Sequence, residues 1–283
     1  MAEDDRGQKV WLITGSSSGF GRALAEKVLE TGATVAATAR NPGALDDLKA
    51  KYPGTCLPLR LDVTVGGQCE EVVRAVVEKT NRLDVLVNNA GYGLIGSLEE
   101  STDEQIERNF STIAFGAIRL MRAALPTFRA QRSGRIINIS AAAAISNYAG
   151  FSIYGGAKYA LEGISEALAA EVKPLGIKVS LVQPGPFRTE FISRSMEKTD
   201  SAIGDYAGTV GKFAAFLQKM EGHQPGNPAK AASAILRLSE MENPPLRLAL
   251  GKYATEKVER VLKARQREWE AAKEYNFDTE YEA

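Results

Sequence analysis

Short apolar runs alternate along the chain with longer segments whose apolar positions recur every three or four residues. The runs Val10–Thr14 (VWLIT), Thr34–Ala39, Leu57–Leu61, Leu83–Asn88 (LDVLVN), Gly134–Ser140 (GRIINIS), Ile177–Gln183 (IKVSLVQ) and Arg247–Leu250 predict strands. The intervening periodicity predicts helices over Arg22–Thr31, Pro42–Tyr52, Gln68–Thr80, Asp103–Arg129, Ile153–Lys173 and Asn227–Met241. The strands are apolar on both faces, as in a sheet covered by helices on each side. Strand–helix alternation at this spacing requires right-handed crossovers. The expected fold is therefore α/β, a three-layer doubly wound parallel sheet forming a single domain over residues 1–283. Ligands of such sheets bind beyond the carboxyl ends of the strands.

The strand pattern stops from Glu190 to Gly226, where Phe191, Ile192, Met196, Tyr206, Phe213, Phe216, Leu217 and Met220 stand among polar residues. So long a segment near a ligand edge is expected to be a substrate lid, with an ordinary packed subdomain as the alternative. Residues 255–283 read as a charged C-terminal helix over Thr255–Tyr275 and a loose tail. Val258, Leu262, Trp269 and Ala272 share that helix's packing face.

Composition narrows the chemistry. The 283 residues include 35 Lys+Arg and 35 Asp+Glu, so the formal net charge is zero. That lacks the basic footprint of a nucleic-acid binder or of a polybasic membrane-surface protein. No apolar run approaches the roughly 20 residues of a membrane helix, and the polar, acidic start MAEDDRGQKV has no secretory h-region. A cytoplasmic location is the expectation. Cys56 and Cys69 are the two cysteines and fit no metal or redox spacing, so both are expected to be buried small apolar groups. His223 is the single histidine. With so few nitrogen and sulfur ligands no metal site is expected, and acid–base chemistry falls to Tyr, Lys or a carboxylate.

Thr14–Gly21 reads TGSSSGFG and joins the first strand to the first helix. Gly15 permits the tight turn, Gly19 lets backbone approach a pyrophosphate and Gly21 allows close helix–sheet contact, while Ser17, Ser18 and Phe20 complete the loop. The free N–H groups and dipole of the helix start favour phosphate. At the end of the second strand, where NAD sites place an acidic residue for the ribose, the sequence reads Ala39-Arg40-Asn41. A guanidinium there can fork onto a 2′-phosphate, so Arg40 predicts NADP(H) as the cofactor.

Asp62-Val63 closes the third strand and Asn88-Asn89-Ala90-Gly91 the fourth. With TGxxxGxG ahead of them, these motifs resemble the short-chain dehydrogenase/reductase family in order and spacing. The resemblance covers roughly residues 9 to 195. It implies that Asp62 holds the adenine amino group, that Asn89 and Gly91 line the ribose side, and that Pro184, Gly185 and Thr189 clamp the nicotinamide carboxamide. Tyr154 and Lys158 lie four residues apart on a predicted helix and share a face. The resemblance makes Tyr154 the general acid/base, with Lys158 lowering its pKa and holding the nicotinamide ribose. A homodimer or homotetramer is implied as well.

Three positions depart from the family pattern. Its catalytic Ser, thirteen residues before the Tyr, falls on Ala141. Ser140 is adjacent, but neighbouring strand residues face opposite sides, so it could serve only with a one-residue shift. The family's structural Asn falls on Ile113, and its frequent Ser before the Lys falls on Ala157. Tyr92, Leu94 and Ile95 after the fourth strand, Ile145, Tyr148 and Phe151 before the catalytic helix, and Phe187 and Phe191 are expected to form an apolar substrate pocket. The resulting expectation is an NADP(H)-dependent oxidoreductase acting on a bulky lipophilic ketone or secondary alcohol. Reduction of a C=N or activated C=C bond, or non-redox chemistry, is the alternative within enzymes. A nucleotide-binding sensor or scaffold is the alternative outside them.

Overall fold

Strand β1 (Val10–Ile13) shows how the sheet is built, because its side chains alternate between two separate cores. Trp11 and Ile13 enter one apolar cluster, and Val10 and Leu12 enter the other. A strand buried on both faces has to be apolar at every position, which is why VWLI contains no polar residue. In the computed structural model, which describes residues 9–200, 203–275 and 281, the same logic extends over seven strands. These are β1, β2 (Thr34–Ala39), β3 (Cys56–Arg60), β4 (Val85–Asn88), β6 (Gly134–Ile139), β7 (Ile177–Pro184) and β9 (Arg247–Leu250). Their order is β3-β2-β1-β4-β6-β7-β9, and every pairing is parallel.

Helices α1 (Gly19–Leu29), α2 (Asp46–Lys51) and α8 (Pro228–Glu240) cover one face through Leu24, Val28, Leu48, Ile235 and Leu238. Helices α3 (Gly66–Thr80), α5 (Gly116–Gln131) and α6 (Ser152–Val172) cover the other through Val72, Leu120, Phe128, Leu161 and Leu168. The doubly wound sheet is as the hydrophobic pattern predicts. Cys56 and Cys69 are buried free thiols within these cores, and burial pushes the Cys69 thiol up to about 11.

The structure departs from the pattern in four places. Helix α1 begins at Gly19, ahead of the expected Arg22, so the glycine loop runs directly into its first turn. The segment expected as one helix from Asp103 is α4 (Asp103–Phe110), a wider π-turn over Ser111–Phe115, and α5. Two three-residue strands, β5 (Gly93–Ile95) and β8 (Met196–Lys198), pair in parallel outside the main sheet. β8 corrects the expectation that no strand lies between Glu190 and Gly226, and both strands are too short to carry a periodic signal. Finally, α7 (Lys212–Met220) forms within the same segment. The last helix, α9 (Lys252–Ala272), begins directly after β9. Of the tail 276–283, only Tyr281 lies within the described residues. Among the described residues no helix is long and apolar enough to cross a membrane.

A buried polar chain ties α6 to the sheet. Asn88 Nδ2 donates to Asn138 Oδ1 at 2.8 Å, Asn138 Nδ2 donates to Ser165 Oγ at 2.8 Å, and Ser165 Oγ donates to Leu161 O at 2.6 Å. Buried amides without partners are costly, so Asn138→Ala, which leaves Asn88 Nδ2 without its acceptor, is expected to lower stability by about 1–3 kcal/mol. Urea denaturation followed by far-UV circular dichroism measures this directly.

Candidate active site

The carboxyl ends of the parallel strands converge on one cavity of about 820 Å³. At one end lies the glycine loop. Gly15 (φ +67°) and Gly19 (φ +56°) adopt left-handed backbone, which favours glycine. A Cβ at Gly21 would fall 2.2 Å from Gly15 O and 2.5 Å from Asn89 Nδ2, so only glycine lets α1 approach the crevice. Asn89 Nδ2 donates to Thr14 O (2.8 Å) and Gly15 O (3.2 Å), fixing the loop's first turn.

Arg40 directly follows β2 at the cavity edge, exposed and in no ion pair among the described residues. Asp62 lies nearby, its Oδ1 accepting from Thr64 N (3.0 Å) and Thr64 Oγ1 (2.7 Å). Partial burial pushes the Asp62 carboxyl up, but these hydrogen bonds, with Arg40 and Arg60, outweigh it and hold the carboxyl below its ordinary range. The two left-handed glycines, the closely packed Gly21, the anionic Asp62 and the cationic Arg40 fit a dinucleotide with its pyrophosphate at the helix start.

Tyr154 and Lys158 lie on the first turns of α6 and both face the cavity, although 7% and 5% exposed. Lys158 Nζ donates to Ile139 O at 2.6 Å and lies 5.9 Å from the Tyr154 ring centroid. Burial lowers the ammonium to about 8, opposed by the Glu162 carboxylate one turn further along. Glu162 is itself held by Gln183 Nε2 (2.9 Å) and Arg247 Nε (2.8 Å). The expected lowering of the Tyr154 pKa is not what this geometry gives: burial holds the phenol above its ordinary range.

The reason is the surrounding shell. Ile113, Ala141 and Ala157 pack into one apolar cluster with Tyr154, Ile95, Ala143 and Phe151. Ile113 sits behind Gly91, where a Cβ would lie 3.4 Å from its Cγ1 and 3.7 Å from Lys158 Nζ. Ala141 lines the cavity in extended backbone (φ −162°, ψ 159°). Ser140 also reaches the cavity, and its buried Oγ has no hydrogen-bond partner among the described residues.

Together these observations decide the family, because a matching family model, described as short chain dehydrogenase, spans residues 9–200. The chain belongs to the short-chain dehydrogenase family. Its members are oxidoreductases that bind a nicotinamide cofactor. The chain is 37% identical over 265 residues to oxidoreductase BOA17 of Botryotinia fuckeliana, covering 92% of this chain and 96% of that protein. It is 36% identical to 3-ketodihydrosphingosine reductase of Bacteroides thetaiotaomicron, covering 92% and 93%. A crystal structure of a short-chain dehydrogenase from Streptomyces avermitilis superposes with a TM-score of 0.89 at 43% identity, covering 94% of this chain and 98% of that one.

Gly15, Ser17, Ser18, Gly19, Phe20, Arg40, Asp62, Val63, Asn89, Gly91, Pro184, Gly185 and Thr189 all line the dehydrogenase's cavity. Gly21 does not, because it packs underneath the loop. Of the expected pocket residues, Tyr92, Tyr148, Phe151, Phe187 and Phe191 line it, joined by Met196, Phe213, Phe216, Leu217 and Met220 from the segment after Glu190. Ile145 is a correction. It follows the 3₁₀ turn at Ala142–Ala144 and turns toward α9, packing with Ala142 and Ala254. Leu94 and Ile95 are likewise buried, in β5, and do not reach the cavity. Sequence reasoning missed Tyr253 and Arg108, which do reach it. A signal for Tyr253 was available, since residues just after a parallel strand such as β9 fall at the ligand edge.

The depressed Lys158 pKa has a thermodynamic consequence. Between about pH 8 and the unfolded value near 10.4, the unfolded chain binds the extra proton, so stability rises with pH. Relative to Lys158→Met, the wild type is expected to gain up to about 3 kcal/mol from pH 7 to 10.5. Paired urea titrations of the two proteins across that range measure the difference.

Proposed function

We propose that this dehydrogenase uses NADP(H) to interconvert a bulky lipophilic ketone and its secondary alcohol. The observation that carries the reading is that Tyr154 and Lys158 share one cavity with the glycine loop and an aromatic wall. When bound, the nicotinamide cofactor supplies or accepts the hydride. Arg40, free of ion pairs among the described residues, is the partner for a 2′-phosphate. Asp62 orients the adenine side, and the glycine loop takes the pyrophosphate. Tyr154 Oη donates its proton to the substrate oxygen as the carbonyl becomes an alcohol, and in the reverse direction its phenolate takes that proton from the alcohol. Its raised pKa keeps it a proton donor through neutral pH. Lys158, held on Ile139 O, fixes the ribose and places positive charge beside the phenol. The wall formed by Tyr148, Phe151, Phe191 and Phe213 turns aromatic rings to the cavity and favours an aryl or polycyclic group. The 3-ketodihydrosphingosine reductase relative supports a lipophilic ketone.

A second reading rests on the apolar shell of Ile113, Ala141 and Ala157 around Tyr154. Such a shell offers little hydrogen bonding to a developing oxyanion and suits a C=N or activated C=C bond, which needs less of it.

NADPH consumption with a panel of bulky aryl and polycyclic ketones tests both readings. Under the first, Tyr154→Phe lowers kcat/KM by about 10²–10⁴-fold, and ketone reduction by this variant at the wild-type rate overturns it. Ala141→Ser supplies an oxyanion donor and is expected to raise ketone turnover by about 10²–10³-fold. No gain, with an imine or enone reduced faster than the matching ketone, establishes the second reading. Arg40→Ala is expected to raise the KM for NADPH about ten- to a hundredfold while leaving that for NADH unchanged; equal effects on both remove the 2′-phosphate assignment.

A further inference from the structure

Tyr148 lines the cavity, and much of what fixes its position comes from α9. Lys257, on the second turn of α9, is 4% exposed, and its Nζ lies 3.5 Å from the Tyr148 ring centroid. The same ammonium donates to Ser146 O at 2.6 Å, which fixes the loop leading into Tyr148. One turn earlier, the Tyr253 hydroxyl meets the Tyr148 hydroxyl at 2.8 Å. Two side chains of one helix therefore hold both the face and the tip of a single ring.

That ring begins a relay of aromatic contacts across the cavity wall. Tyr148 stacks on Phe213 of α7, with centroids 4.9 Å apart and planes at 9°. Phe213 meets Phe151 edge-on at 4.9 Å, and Phe151 meets Tyr154 at 5.0 Å. The last contact reaches the proposed proton donor. A cation over an aromatic face is attracted by the ring quadrupole, most strongly where water is excluded. Burying a lysine for this purpose is costly, and no carboxylate forms an ion pair with Lys257 among the described residues. Burial and the neighbouring Arg260 lower its ammonium to about 8, so at pH 7 it carries the charge that the ring attracts.

We propose that Lys257 and Tyr253 are positioning residues for substrate size: through Tyr148 they hold α7 and the aromatic wall at the spacing that accepts a bulky, ring-bearing substrate. This rests on the ketoreductase reading for the substrate's chemistry, but not for the wall's geometry. It assigns a specificity role to the C-terminal helix, most of whose length lies away from the reacting atoms. Releasing the clamp lets the Tyr148 and Phe213 rings part, which weakens contact with a large substrate and matters little to a small one.

The probe is a solvatochromic acylnaphthalene ketone, whose binding is read by fluorescence at pH 7 with saturating NADP⁺ and whose reduction is read with NADPH. The variants are Lys257→Gln, which keeps a donor for Ser146 O but removes the cation, Lys257→Arg, which keeps both, and Tyr253→Phe, which removes one hydroxyl. Lys257→Gln is expected to raise the probe's Kd and KM about five- to tenfold, with kcat changed less than twofold and the KM for a small ketone such as cyclohexanone unaltered. Lys257→Arg returns the probe's Kd to within about twofold of wild type, and Tyr253→Phe raises it about two- to fourfold. An unchanged Kd in Lys257→Gln overturns the inference. Equal losses for the large and the small ketone overturn it too, since they indicate general loosening. If Lys257→Gln does not fold, Tyr253→Phe decides alone by the same criterion. A wild type that binds the probe but reduces no ketone refutes the ketoreductase reading, and the Kd comparison still judges the clamp; a wild type that does not bind the probe overturns the clamp itself.

Discussion

The Thr14 hydroxyl holds the point at which the strand order of the sheet reverses. It donates to Val87 O at 3.3 Å and accepts from the backbone N–H of Asn89 and of Ala90, each at 2.9 Å. β1 and β4 are neighbours in the sheet, but their connections leave in opposite directions, toward β2 and toward β6. A crevice opens between such strands, and this hydroxyl ties its two sides together. The rest of the site hangs from it. Asn89, positioned by Thr14, clasps the glycine loop, and Gly21 can then seat α1 against that loop. On the far side, the Asn88–Asn138–Ser165 chain carries the register of β4 through β6 to α6 and so to Tyr154 and Lys158.

The electrostatics of α6 change sharply along its axis. Tyr154 sits among apolar side chains, and Lys158 has one backbone carbonyl as its acceptor. One turn later Glu162 is buried but fully engaged by Gln183 and Arg247. Burial alone disfavours the Lys158 charge, and the carboxylate at i+4 restores part of it. The helix thus presents a dry phenol at its cavity end and anchors itself through charges placed further back.

The fold was legible because two-sided burial leaves a strong signature. VWLIT, GRIINIS and IKVSLVQ admit few other readings, and β2 and β9 run over the residues that their apolar runs indicate. What failed to show was short or depended on distant partners. β5 and β8 have three residues each and are defined by each other. The π-turn at Ser111–Phe115 leaves the apolar periodicity on either side intact. In the site, the residues of the glycine loop and the Tyr154/Lys158 spacing could be placed from sequence, since local geometry dictates them. The environment of Tyr154 could not. Its burial comes from side chains of β5, the π-turn, the loop after β6 and the region beyond Glu190, brought together only by the tertiary structure. Ile145 illustrates the same limit, because one turn of 3₁₀ helix decides whether it meets a ligand or α9.

The segment between Glu190 and Gly226 is pinned at both of its roots. Near its start β8 pairs with β5, and at its end Gly226 bridges to Phe187. Neither pairing belongs to the seven-stranded sheet. Everything between the two pins can therefore change without altering a strand register in the main sheet, provided that side chains such as Phe213 and Leu217 are replaced by others that pack against the cavity end of α6. In engineering terms it is a replaceable cassette: a ready-made graft site through which one nucleotide-binding chassis can be refitted for substrates of a different shape.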